Sequence, residues 1–145
     1  MGRIITENEG ASFEIKALSL SIAKVIYDKL SKRMGFNEVA HNYSSMYEFL
    51  QQEGDHVKGC DALSSDFRIN VLLEPYHLIE SDDIIIIWDD VETIEMDTMP
   101  YGSFKNHLYD IWYPIAENII FFNDKLEFVY LIRHDGVLFK MSLSK

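Results

Sequence analysis

The sequence predicts an α+β fold: an antiparallel or mixed sheet of about five or six strands, a long N-terminal helix packed on one face and a C-terminal three-strand meander. Three observations predict it. Apolar residues recur at steps of three and four between Ser12 and Met34, the signature of one buried helical face. Ile84-Ile85-Ile86-Ile87-Trp88 is apolar at every position, so this strand needs cover on both faces and a central place in a sheet. The last thirty or so residues read as three apolar-rich strands between turn residues, a meander.

In the first helix, Ile15, Leu18, Ile22, Ile26, Leu30 and Met34 share a face. Asp28 precedes Lys32 at the favourable i, i+4 spacing. Lys32 and Arg33 set cations in the last turn, where they suit the helix dipole. Gly35 supplies the stop. The start is open, because Ser12, Ser19 and Ser21 can each cap it. A short helix from about Ser44 to Gln52 follows, with Met46, Phe49 and Leu50 as its apolar stripe and Gly54 at its end. Glu53 to Ser65 reads as a loop.

Phe67, Ile69, Val71 and Leu73 alternate with Arg68, Asn70 and Leu72, a half-buried strand pattern that Pro75 terminates. After the Ile84–Trp88 strand, a short one is expected through Thr93 to Met96. Gly102-Ser103 opens a second clear helix with Phe104, Leu108, Ile111 and Trp112 on one face, stopped by Pro114. The meander begins at Ile119 to Phe122 and turns at Asn123-Asp124. Its second strand alternates through Leu126, Phe128, Tyr130 and Ile132. It turns again at His134-Asp135-Gly136 and ends with Val137, Phe139, Met141 and Leu143. Asp-Gly is a strong hairpin signal.

The chain of 145 residues is expected to form a single domain, with residues 1–10 a loose arm. Its apolar fraction of 48% and aromatic fraction of 13% supply a core without metals or disulfides. Cys60 is the sole cysteine, so no disulfide forms within the chain. The first residues lack the apolar stretch of a signal peptide, and no apolar run approaches the ~20 residues that cross a bilayer. A cytoplasmic location is the expectation.

Net charge is −11. Such a surface repels nucleic-acid phosphates and anionic lipid and attracts basic proteins. The charge is uneven: up to Arg33 there are six basic and four acidic residues, so the remainder carries −13. Between Arg68 and Lys105 there is no Lys or Arg, while Glu74, Glu80, Asp82, Asp83, Asp89, Asp90, Glu92, Glu95 and Asp97 all fall there.

His56, Cys60 and Asp61 are close in sequence, yet no second Cys–His pair completes a zinc set. Neither a base nor an oxyanion hole is identifiable for Cys60 as a nucleophile. The pairs Asp82-Asp83 and Asp89-Asp90 bracket the buried strand. Adjacent carboxylates can bind a hard cation, do acid–base chemistry, grip a basic partner, or guard a very apolar strand against wrong pairing. No glycine-rich phosphate loop and no G-x-S-x-G elbow is present. Tyr101, Tyr109, Trp112 and Tyr113 are either core or an aromatic recognition patch.

The run Asp110-Ile111-Trp112-Tyr113-Pro114-Ile115-Ala116-Glu117-Asn118-Ile119-Ile120, with the meander through His134-Asp135-Gly136, resembles the end of small uncharacterised bacterial domains, some of them immunity proteins of polymorphic toxin systems. It departs from the cell-wall-regulator and immunity superfamily: the glycines that usually follow the proline are absent, and no C-terminal helix is expected. No functional residue is carried over.

The leading expectation is a non-enzymatic acidic binding protein, an immunity-type inhibitor of a basic protein such as a nuclease toxin. The expected partner-binding residues are Asp82, Asp83, Asp89, Asp90, Glu92, Glu95 and Tyr101, with no cofactor, metal or catalytic residue. The alternatives are a small enzyme or metal-dependent domain using carboxylates near Asp82–Asp90, and a housekeeping subunit whose partner is a second copy of itself.

Overall fold

The computed structural model describes residues 15–36, 43–65, 67–89, 94–111 and 118–143. Among them, seven strands and four α-helices run in the order β1 (Lys16–Ala17), α1 (Leu20–Met34), α2 (Tyr43–Glu53), β2 (Asp55–His56), α3 (Ile69–Leu72), β3 (Asp83–Trp88), β4 (Met96–Pro100), α4 (Tyr101–Ile111), β5 (Ile119–Asn123), β6 (Phe128–Ile132) and β7 (Leu138–Ser142). The strands form one sheet of order β1-β4-β3-β5-β6-β7-β2, with every neighbouring pair antiparallel. The expected five or six strands become seven because two two-residue strands, β1 and β2, close the edges. Short edges leave little unpaired backbone for another chain to extend.

The Ile84–Trp88 run is buried on both faces, as its composition requires. Ile84, Ile86 and Trp88 join the core under α3 and α4, and Ile85 and Ile87 join the core under α1 and α2. The meander holds as expected: β5, β6 and β7 pair in sequence.

α1 begins later than Ser12. Ser19 is its N-cap, accepting from the Ile22 N–H at 3.3 Å, and Lys16–Ala17 pairs with β4 instead. At the other end Gly35 sits at φ 79, and Phe36 N–H closes back on Ser31 O, a Schellman stop that favours glycine. The buried face is Ala23, Tyr27, Leu30, Ser31 and Met34, so Ile22, expected inside, is 51% exposed. Tyr27 takes the core position, and Ala23 is small enough to let the helix approach the sheet. Arg33 does more than face a dipole: its Nη1 donates to Leu126 O and Leu143 O, tying α1 to the β5–β6 turn and the end of β7.

The strand expected over Phe67 to Leu73 is a helix. Ile69–Leu72 forms α3, and Glu74–Tyr76 continues as a 3₁₀ turn with Pro75 early in it. Ile69 and Leu73 are buried while Val71 between them is 61% exposed. Spacing i, i+4 satisfies a two-residue period and a helical face alike, so Val71 alone separates the readings. The strand expected over Thr93 to Met96 is displaced to Met96–Pro100. α4 starts at Tyr101 rather than Gly102, and its expected stop at Pro114 lies outside the described residues, as does the expected N-terminal arm. Among the described residues no helix is long and apolar enough to cross a membrane.

Candidate functional site

Strand β3 separates the two carboxylate pairs. Asp82 and Asp83 stand at its start and Asp89 just past its end, about 20 Å apart at the usual rise per strand residue. Asp90 and Glu92 lie outside the described residues. Glu95 is half-buried, its backbone carbonyl accepting from Trp88 N–H. Asp97, counted in the acidic stretch, is fully buried in β4 and accepts the Trp88 indole N–H at 2.7 Å. Tyr101 is buried at the start of α4 beneath the Lys105 ammonium, 5.4 Å from its ring centroid. It is therefore a packing residue rather than an exposed anchor. The Tyr109 side chain, Trp112 and Tyr113 lie outside the described residues.

At the start of β3, backbone hydrogen bonds build a rigid corner. Tyr101 N–H donates to Asp82 O, Gly102 N–H to Glu80 O, and Asp124 N–H to Asp83 O. The Asp82 carboxylate accepts from Ile79 N–H at 2.8 Å, closing the turn that leads into β3. Because β5 pairs with β3, the β5–β6 turn delivers Asp124 to Asp82 and Asp83. Partial burial, then Asp83 and Asp82, push the Asp124 carboxyl above its usual range, with Lys125 opposing. Glu80 is occupied by Lys105 at 3.4 Å. Asp82, Asp83 and Asp124 therefore form an acidic corner, of which Asp124 was not legible in the sequence: it looked like a turn residue some forty positions from its neighbours.

Near the other end of β3 an ion pair closes on itself. Arg133 donates to both oxygens of Asp135, at 3.1 and 2.6 Å, and to Gln51 Oε1 on α2 at 2.8 Å. That pairing holds the Asp135 carboxyl down to about 2. Asp89 accepts from Asn118 Nδ2 at 3.0 Å, and Asn118 Oδ1 accepts the His134 backbone N–H at 2.7 Å. The backbone donor orients the Asn118 amide, so its Oδ1 also faces His134 Nδ1, 3.0 Å away. Tyr43 and Tyr47 stack on α2 beside this cluster. Burial first, then the Asp89 and Tyr47 charges, push the Tyr43 hydroxyl far up.

The His56 ring packs on Phe139, and Asp61 Oδ1 accepts from Leu63 N–H at 2.9 Å. Among the described residues no group of three His, Cys, Asp or Glu side chains can hold a metal ion. Cys60 is half-buried in the wall of a cleft of about 360 Å³ that also reaches Arg68.

No family model, curated protein or solved structure matches the chain.

Proposed function

We propose that this chain is a non-enzymatic acidic binding protein that captures a basic protein partner. The observation that carries it is the corner at the start of β3, where the β3–β5 pairing sets Asp124 beside Asp82 and Asp83; burial first, then those two charges, raise the Asp124 carboxyl. Lys or Arg side chains docked there relieve that repulsion, and the −11 net charge draws such a partner in quickly. The chemistry suits an inhibitor of a basic toxin, such as a nuclease, whose phosphate-binding cations would be occupied by carboxylates. Asp89 at the far end of β3 contributes to the long-range field rather than to the grip.

The experiment is affinity capture from extract of the native cell, washed at low and then high salt, with wild type and the Asp82→Lys, Asp83→Lys double variant compared. Wild type is expected to retain a basic protein that elutes with salt, and the variant is expected to lose it. Equal retention by the variant would remove the corner from the interface, and with it this reading.

A second reading, self-association, rests on Leu20, Ile22 and Val25, which are 49%, 51% and 54% exposed on α1. Light scattering tests it: a dimer that Ile22→Asp converts to monomer supports it, and a wild-type monomer at high concentration excludes it.

A further inference from the structure

Two clefts of about 360 and 290 Å³ share Phe67 and Arg68 as a common wall between the Cys60 loop, α3 and α4, a size in the range of small-molecule sites. Arg68 and Lys105, the two cations that bracket the Lys/Arg-free stretch, both line the smaller cleft, together with Asn70 and Asn106. Among the described residues lining it there is no carboxylate, although the chain carries 24 Asp and Glu. In the larger cleft the described lining holds one carboxylate, Asp61, which already accepts a backbone hydrogen bond.

The cations are held in place. Arg68 Nη1 donates to Ser65 O at 3.1 Å and Phe67 O at 2.9 Å. Its Nε and Nη2 have no acceptor among the described residues, and no described carboxylate lies within ion-pair reach. Lys105 is positioned by Glu80 and the Tyr101 ring, so its charge is partly shared and Arg68 supplies the main anion contact. A guanidinium with two pinned and several open donors matches the two oxygens of a carboxylate or phosphate. Phe67, Val71 and Leu72 line the adjoining larger cleft with apolar surface.

The geometry points to a binding site for a small organic anion, a carboxylate or phosphate monoester on a flat apolar body. The anionic group sits at Arg68, Lys105, Asn70 and Asn106, and the apolar body lies along Phe67 and Val71. None of Asp82, Asp83 and Asp124 lines either cleft, and the site needs no protein partner.

The test is a titration of the isotope-labelled full chain, followed by amide NMR shifts, with phenyl phosphate, with benzoate, and with benzyl alcohol as the uncharged counterpart. Saturable shifts at Arg68, Asn70 and Asn106 are expected at millimolar concentration for the anions, with benzyl alcohol at least about tenfold weaker, the usual worth of a charge-assisted hydrogen bond. The stronger of the two anions identifies the acid group. Arg68→Gln should weaken binding about tenfold, and Lys105→Gln should weaken it by less. Should Arg68→Gln unfold the loop whose carbonyls it holds, Asn106→Asp carries the test, because it sets a carboxylate in the cleft at an exposed position and should abolish anion binding. Benzyl alcohol binding as tightly as the anions, no saturable shift, or undiminished binding to Asn106→Asp would each overturn the assignment.

Discussion

The indole N–H of Trp88 donates to Asp97 Oδ2 across the β3–β4 pair at 2.7 Å, with both residues buried. In register Asp97 stands opposite Ile86, so it lies diagonally from Trp88 on the same face of the sheet. A buried carboxylate is tolerated only when donors replace its lost water. Asp97 is thus a fold residue inside a stretch whose other described carboxylates are exposed or half-buried. Asp97→Ala should lower the unfolding free energy by about 2 kcal/mol by stranding the indole N–H, and it should shift the tryptophan emission. Urea denaturation followed by fluorescence measures both, and a midpoint equal to wild type would contradict the structural role.

Val71 and Leu73 give a direct test of α3. In a strand with one buried face both would point inward and cost alike. In the helix Val71 is exposed and Leu73 is buried to 1%. Leu73→Ala should cost about 2–5 kcal/mol as a core truncation. Val71→Ala should stay within about 0.5 kcal/mol, as for a surface site. Equal losses in thermal or chemical unfolding would favour the strand.

Two carboxyls titrate in opposite senses. The hydrogen bonds from Arg133 hold Asp135 down to about 2, against an ordinary 3.8. Its folded value lies below its unfolded one, so its contribution to stability is present above the unfolded value and disappears as pH falls through about 2. Asp124 is raised, by burial first and then by Asp83 and Asp82. Its folded form holds the proton more tightly, so this corner gains stability as pH falls through the raised value and loses it as pH climbs back. Carbon-detected carboxyl titration by NMR reads both. Arg133→Gln should bring Asp135 up toward 3.8, and Asp83→Asn should bring Asp124 down toward it; a titration midpoint that stays put refutes the corresponding contact.

The corner also predicts the sign of a stability change. Asp83→Asn removes one of the charges facing Asp124 at an exposed position, so it should raise the melting temperature slightly at neutral pH and less so in high salt, where the repulsion is already screened. A lower melting temperature at low salt would mean that Asp83 serves the fold rather than a partner.

The sequence by itself determined those parts of the protein in which local composition leaves one outcome. Five consecutive apolar, mostly β-branched residues at Ile84–Trp88 favour a strand covered on both sides, and apolar runs between the turn signals Asn123-Asp124 and Asp135-Gly136 favour the β5–β6–β7 meander. Gly35 ends α1 because its left-handed backbone favours a residue without a side chain. Tertiary structure decided whatever local periodicity leaves degenerate. Ile69 and Leu73 fit a strand and a helix equally, and only the packing that leaves Val71 in water chose the helix. α1 has apolar residues on more than one side, and the sheet took Ala23 and Tyr27 in place of Ile22. The acidic stretch was legible as a composition but not as a surface. The length of β3 parted its carboxylates, β4 buried Asp97 against Trp88, and the pairing of β5 with β3 brought Asp124 to Asp82 and Asp83. The same packing brought Arg68 and Lys105 to one cleft. These juxtapositions depend on strand order and helix placement, which local sequence spacing does not encode.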